Sequence, residues 1–148
     1  MTIEIIPPGG DLFLSNSQTL VNPINCVGVM GAGLALAFKK KFPALFKDYV
    51  EHCVNHQGTL FSPYLYHVND KLSILNFPTK LHWNQPSKMD YLTTGLQYLD
   101  SHYKEWNLTS LAVPMLGCGL GGLPHDEVLS LMCAVFGPWQ IPVQIFQS

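Results

Sequence analysis

The chain has 148 residues, of which 47% are apolar and 12% charged, and its formal net charge is −2. That length and apolar fraction describe one well-filled globular domain and exclude a disordered chain. The charge balance excludes a protein that grips duplex DNA by electrostatics, and no apolar run approaches the roughly 18 residues of a membrane span. The start, MTIEIIPPGG, lacks the basic segment and long apolar stretch of a signal peptide, so the expected setting is cytoplasmic. The eight cations are all Lys. Any phosphate must therefore be held by backbone amides, helix ends or Lys, never by a guanidinium fork. Cys26, Cys53, Cys118 and Cys133 form no CxxC pair, so no zinc site is expected and the thiols read as reduced.

Residues 3–6 form a short β run that Pro7-Pro8-Gly9-Gly10 stops. Asp11 to Leu14 reads as a brief strand or turn with one carboxylate at its start, and residues 15–17 as a turn. Residues 19–21 form a buried strand that runs into a polar turn with Asn22 and Asn25. Gly28-Val29-Met30-Gly31-Ala32-Gly33 follows, then good helix formers from Leu34 to Lys41. Strand, glycine-bearing loop, helix: that order gathers unpaired backbone N–H groups and the positive end of a helix dipole at one point, which binds anions, phosphates above all. Lys39-Lys40-Lys41 suits the helix C-terminus. Pro43 opens a second helix over residues 43–55, with Leu45, Phe46, Tyr49, Val50 and Cys53 as its apolar stripe. His52 and His56 lie four apart on it, and without a third ligand nearby they read as an exposed face.

Leu60-Phe61 and residues 64–68 are β-like, with Pro63 marking an edge or a bend. Residues 71–77 form the next strand. Residues 78–84 then project Lys80, His82 and Trp83 just past a strand end, where open α/β sheets bind ligands. Ser87 is placed to cap a helix over residues 89–103. Residues 111–115 form a buried strand, followed by a second glycine loop, Gly117-Cys118-Gly119-Leu120-Gly121-Gly122. Pro124, with Asp126 and Glu127 in the first turn, opens a helix that reaches Phe136, and residues 143–146 form the last strand. Alternating strands and helices predict one domain over residues 1–148, a three-layer α/β/α fold around a mixed, mostly parallel sheet.

Neither loop is a GxxxxGK[ST] phosphate loop, and after the first no acidic residue lies about 20 residues on at a strand end, as the dinucleotide fingerprint requires. Two such loops in one α/β domain predict amide-rich turns facing each other across one diphosphate. Cys26 and Cys118 sit inside the loops with no His beside either in sequence, so they read as small residues where backbone comes close.

The order GGDLF, LVNPINCVGVMGAGLALAFKKKFP, LNFPTKLHW and VPMLGCGLGGL resembles the macrodomains, ADP-ribose-binding modules. It is most similar to the DarG-type branch, antitoxins that remove ADP-ribose from DNA bases; human terminal ADP-ribose protein glycohydrolase is a cousin there. The resemblance covers nearly the whole chain. It implies that Asp11, with Leu12 beside it, reads the adenine amino group and that Asn25 meets the distal ribose. Gly31, Ala32 and Gly33 would lie against the diphosphate and distal ribose, Gly117, Cys118, Gly119, Leu120, Gly121 and Gly122 would form the second phosphate loop, and Lys80 would be the catalytic lysine. The cousin has an aspartate just after its GCGL, where this chain has Gly121, which moves the match toward DarG.

The implied function is a hydrolase releasing ADP-ribose from modified bases of single-stranded DNA. Its alternatives are a hydrolase of ADP-ribosylated protein carboxylates or of acyl- or phospho-ADP-ribose, and a reader that binds ADP-ribose without turnover. The implied partners are ADP-ribose, ADP-ribosylated single-stranded DNA and a cognate DarT-type toxin, with no cofactor, no metal and a monomeric chain. Cleaving the glycosidic bond passes through an oxocarbenium-like state that a pair of carboxylates ordinarily serves. A lysine offers other tools: as an amine it attacks the anomeric carbon, and as an ammonium it protonates the departing base. The residues leave both open. Trp83 either stacks on the leaving base or packs as a lid over its loop, and His82 bonds the base or the strand. A target base must be accessible, hence single-stranded or flipped DNA.

Overall fold

A computed structural model describes residues 2–55 and 61–147. In chain order the elements are β1 (Ile3–Ile6), a 3-10 turn (Leu12–Leu14), β2 (Thr19–Asn25), α1 (Gly33–Lys41), α2 (Pro43–Asn55), β3 (Tyr64–His67), β4 (Ser73–Lys80), α3 (Met89–His102), β5 (Leu111–Pro114), α4 (His125–Phe136) and β6 (Val143–Phe146). The six strands form one sheet in the order β1-β6-β5-β2-β4-β3. Neighbours run parallel except β3, which lies antiparallel on β4 at the edge.

Both faces of the sheet are covered, which is why its strands read as nearly continuous apolar runs. Alternate residues point to opposite faces. Val21, Leu75, Phe77, Leu111 and Val113 pack with Leu92, Leu96 and Leu99 of α3 and with Val128, Met132 and Phe136 of α4. Leu20, Ile24, Ile74 and Ala112 pack with Phe38 of α1 and with Leu45 and Tyr49 of α2. This is the three-layer, mostly parallel architecture expected from the alternation of elements.

Of the strand or turn expected over residues 11–14 the chain takes the turn: Asp11 starts a 3-10 turn, because its carboxylate accepts from Phe13 N–H at 2.9 Å and draws the chain into a tight bend. Several other local expectations differ. β2 and β4 run past their apolar cores, through Pro23 and Pro78. Proline removes a ladder donor and is tolerated where one side of a strand is open. β5 pairs with β2 only at Thr19 and Leu20, and β3 pairs with β4 only as far as Asn76, so both prolines have an open flank. Ser87 does not cap α3, whose N-cap is Lys88 without a side-chain bond. Phe61 lies in a turn at φ 65° rather than in a strand. Leu60 and His56 lie outside the described residues.

Because β2, β4 and β5 are parallel, their C-terminal ends open at one edge, side by side. The early end of the β2–β5 pairing makes a crevice between them there. α3 is seated deep beneath it: a Cβ added at Gly95 would lie 2.5 Å from the Phe77 ring. Gly95→Ala is therefore expected to overpack this contact and cost about 1–3 kcal/mol, seen in calorimetry as a Tm several degrees lower.

Candidate active site

The first loop is organised from inside. Asn25, at the end of β2, is 8% exposed. Its Oδ1 accepts from Val27 N–H at 3.1 Å, Val29 N–H at 3.3 Å and the Tyr49 hydroxyl at 2.6 Å, while its Nδ2 donates to Val29 O at 2.7 Å. The Tyr49 hydroxyl also lies 2.9 Å from Asn25 O and accepts from Gly28 N–H at 3.1 Å. The amides of residues 27–29 are thus turned inward. Those of Met30, Gly31, Ala32 and Gly33 have no protein partner among the described residues. They lead directly into α1, whose N-terminus carries no side-chain cap and whose first turn bond is Leu36 N–H to Ala32 O at 3.2 Å.

The second loop follows β5. Gly122 N–H donates to Gly119 O at 3.2 Å and Leu123 N–H to Gly117 O at 2.9 Å, closing a tight turn. The amides of Cys118, Gly119, Leu120 and Gly121 are without protein partners among the described residues. Gly117 and Gly122 stand at φ 72° and 77°, a region that favours glycine and lets successive amides point one way. Gly119 borders open space, whereas a Cβ at Gly121 would collide with Ser87 Oγ and with Gly117 O. A side chain at position 121 therefore has no room here.

Three loops join around the crevice. Leu120 Cδ1 lies 3.8 Å from where a Gly33 Cβ would stand, so the two glycine loops meet. Cys26 N–H donates to Leu81 O at 3.2 Å and Ser87 N–H to Gly121 O at 3.0 Å, tying both to the segment after β4. A register shift between Ile24 and Asn25 sets Lys80 opposite Asn25. Such bulges re-aim side chains beside active sites. Lys80 Nζ donates to Trp83 O at 3.3 Å in an exposed position. None of the three loops, residues 22–33, 80–88 and 115–123, contains Asp or Glu.

Trp83 is 55% exposed, so it is not a packed lid. Its ring stands 5.7 Å from that of His82. Val29, Leu81 and Leu120 add exposed apolar surface around the crevice. Burial pushes the Cys26 thiol up to about 11, opposed by a hydrogen bond from the Phe61 backbone, and burial also raises Cys118. Both stay protonated near neutral pH and make poor nucleophiles. The 3-10 turn behind Asp11 reaches α1 through Phe13, whose ring lies 4.7 Å from that of Phe38, and Leu12 is core. Among the described residues there is no cluster of metal-binding side chains and no helix long and apolar enough to cross a membrane. Tyr49 and Ser87 organise the site, yet in the sequence they stand as one aromatic in an apolar stripe and one helix cap.

A family model described as Macro domain matches residues 21–132. The chain belongs to the macrodomain family. A DNA ADP-ribosyl glycohydrolase of Mycobacterium tuberculosis is 40% identical over 130 residues, which cover 86% of this macrodomain chain and 37% of the relative. The macrodomain of Mycobacterium tuberculosis DarG matches at TM-score 0.89 and 36% identity, over 98% of each chain. Thermosipho africanus DarTG, solved in complex with ADP-ribose, matches at TM-score 0.91 and 38% identity over 98% of this chain and 41% of that one. The chain thus spans about 40% of the length of such longer relatives.

Tyr49→Phe removes the hydroxyl on which the first loop of this macrodomain turns. Stability is expected to fall by about 1–3 kcal/mol, because buried partners are left unpaired. Thermal unfolding reads that loss, and faster hydrogen exchange at residues 27–31 places it in the loop.

Proposed function

We propose that this macrodomain is a hydrolase that releases ADP-ribose from modified bases of single-stranded DNA, with Lys80 acting at the distal ribose. The observation that carries the reading is the convergence of two amide-lined loops and one lysine on a single crevice. The naming of the Mycobacterium tuberculosis relative as a DNA ADP-ribosyl glycohydrolase supports it, as does the ADP-ribose complex of the Thermosipho africanus protein. In this reading the amides of residues 30–33 and 118–121 hold the diphosphate, aided by the α1 dipole. Asp11, beside the amide of Leu12, takes the adenine end beyond α1. Asn25, with one Nδ2 hydrogen left over, meets a ribose hydroxyl.

At the distal ribose the C1″–base bond breaks, a water oxygen bonds to C1″, and a proton goes to the base. With no carboxylate in the three loops, Lys80 is the group we assign to that proton transfer or to a transient adduct with the sugar. Borohydride trapping of a protein–sugar adduct distinguishes the adduct route. Exposed Trp83 supplies a face on which the leaving base stacks, a contact worth about 1–3 kcal/mol, and His82 lies beside it. The exposed rim of Val29, Leu81 and Leu120 suits an unstacked strand better than a closed duplex. The chain acts as a monomer in the cytoplasm, opposing a DarT-type toxin.

Three experiments test this. Offered ADP-ribosylated single-stranded oligonucleotide and automodified protein side by side, the chain is expected to release ADP-ribose from the DNA; release from the protein alone overturns the DNA reading. Lys80→Ala is expected to lower turnover by about 10²–10⁴-fold while ADP-ribose still binds in calorimetry, and full turnover rejects the lysine's role. Gly119→Glu places a carboxylate on the open side of the second loop and is expected to abolish ADP-ribose binding by bulk and charge repulsion. Unchanged affinity removes that loop from the site.

A further inference from the structure

Beneath the second loop lies a group that this chemistry does not use. Ser87 is 5% exposed, and its hydroxyl has no hydrogen-bond partner among the described residues. The hydroxyl is pressed against the loop. A Cβ built on Gly117 would lie 3.3 Å from Ser87 Oγ, and one built on Gly121 would run into both that oxygen and Gly117 O. Ser87 Oγ and Gly117 O therefore flank one point on the floor of the turn. A trans peptide is planar, with its N–H and C=O on opposite sides. When Cys118 N–H faces an anion, the carbonyl of the same peptide, Gly117 O, faces the floor. That oxygen takes one bond, from Leu123 N–H at 2.9 Å, and keeps a second lone pair. A serine hydroxyl can donate to it once the loop brings the two oxygens within hydrogen-bond reach.

We propose that Ser87 is a positioning residue for the second loop: its hydroxyl donates to Gly117 O when the loop seats a diphosphate, and so holds the Gly117–Cys118 peptide with its N–H toward the anion. This rests on the reading of that loop as a diphosphate site. The bond polarises the peptide and strengthens its N–H as a donor. Glycine at 121 belongs to the same device, since any side chain there would occupy the space the two oxygens share. Since the bond would orient a diphosphate-facing amide, it acts on binding and not on bond cleavage.

The test is Ser87→Ala in the whole chain, followed by thermal unfolding, ADP-ribose calorimetry and steady-state turnover of ADP-ribosylated oligonucleotide. The free variant is expected to be at least as stable as the wild type, because the lost hydroxyl had no partner. Its affinity for ADP-ribose is expected to fall on the order of tenfold, with KM rising alike and kcat unchanged, the mark of an interaction equal in ground and transition states. Unchanged affinity overturns the proposal. So does a variant that unfolds or melts earlier, since that is what a merely structural serine would do, and so does a lower kcat at constant KM. Gly119→Glu separates the two levels. If that variant binds ADP-ribose as the wild type does, the loop is not the diphosphate site and the parent reading fails. If it does not bind and Ser87→Ala binds normally, only the Ser87 proposal falls.

Discussion

Backbone N–H groups left without partners are the constraint on which the rest of this structure depends. A folded chain normally satisfies nearly all of them. Here residues 30–33 and 118–121 leave theirs open at one edge of the sheet, side by side. Keeping them open takes scaffolding: Tyr49 and Asn25 absorb the neighbouring amides of the first loop, and the turn bonds of Gly122 and Leu123 close the second. The early parting of β2 and β5 supplies the space between. A chain without arginine has no guanidinium fork for a phosphate ester, and here backbone amides supply the donors instead.

The same edge explains the placing of Lys80. It is the last residue of β4, and the register shift sets it against Asn25, where β2 gives way to the first loop. A lysine on a strand end is held more rigidly at its Cα than one on a free loop, and its Nζ is further directed by Trp83 O. In the proposed chemistry this matters because a reacting group misplaced by about an ångström loses much of its rate.

Much of this was legible in the sequence because it rests on local rules. The glycine spacing of 28–33 and 117–122, the helix formers after the first and the Pro-Asp-Glu signature after the second announced both turns and the helices behind them. The strand runs announced the layers, since a sheet covered on both faces needs apolar residues throughout. What was not legible depends on contacts between distant segments. A tyrosine in an apolar stripe shows nothing of a hydroxyl that reaches across to Asn25. Ser87, one residue from a helix start, has every local mark of a cap, yet its backbone is claimed by Gly121. Pro23 and Pro78 argue locally against strands, and only the missing neighbours at their flanks admit them.

The main-chain character of the two turns has a further consequence, in the proton inventory. Peptide amides neither gain nor lose protons between mild acid and mild alkali, and a pyrophosphate diester keeps its charge over the same span. Association of such a ligand through these groups would exchange no protons with the buffer, and its strength would stay level across that range. Whatever acid or alkaline limb a rate profile of this chain displays would then come from groups other than these amides.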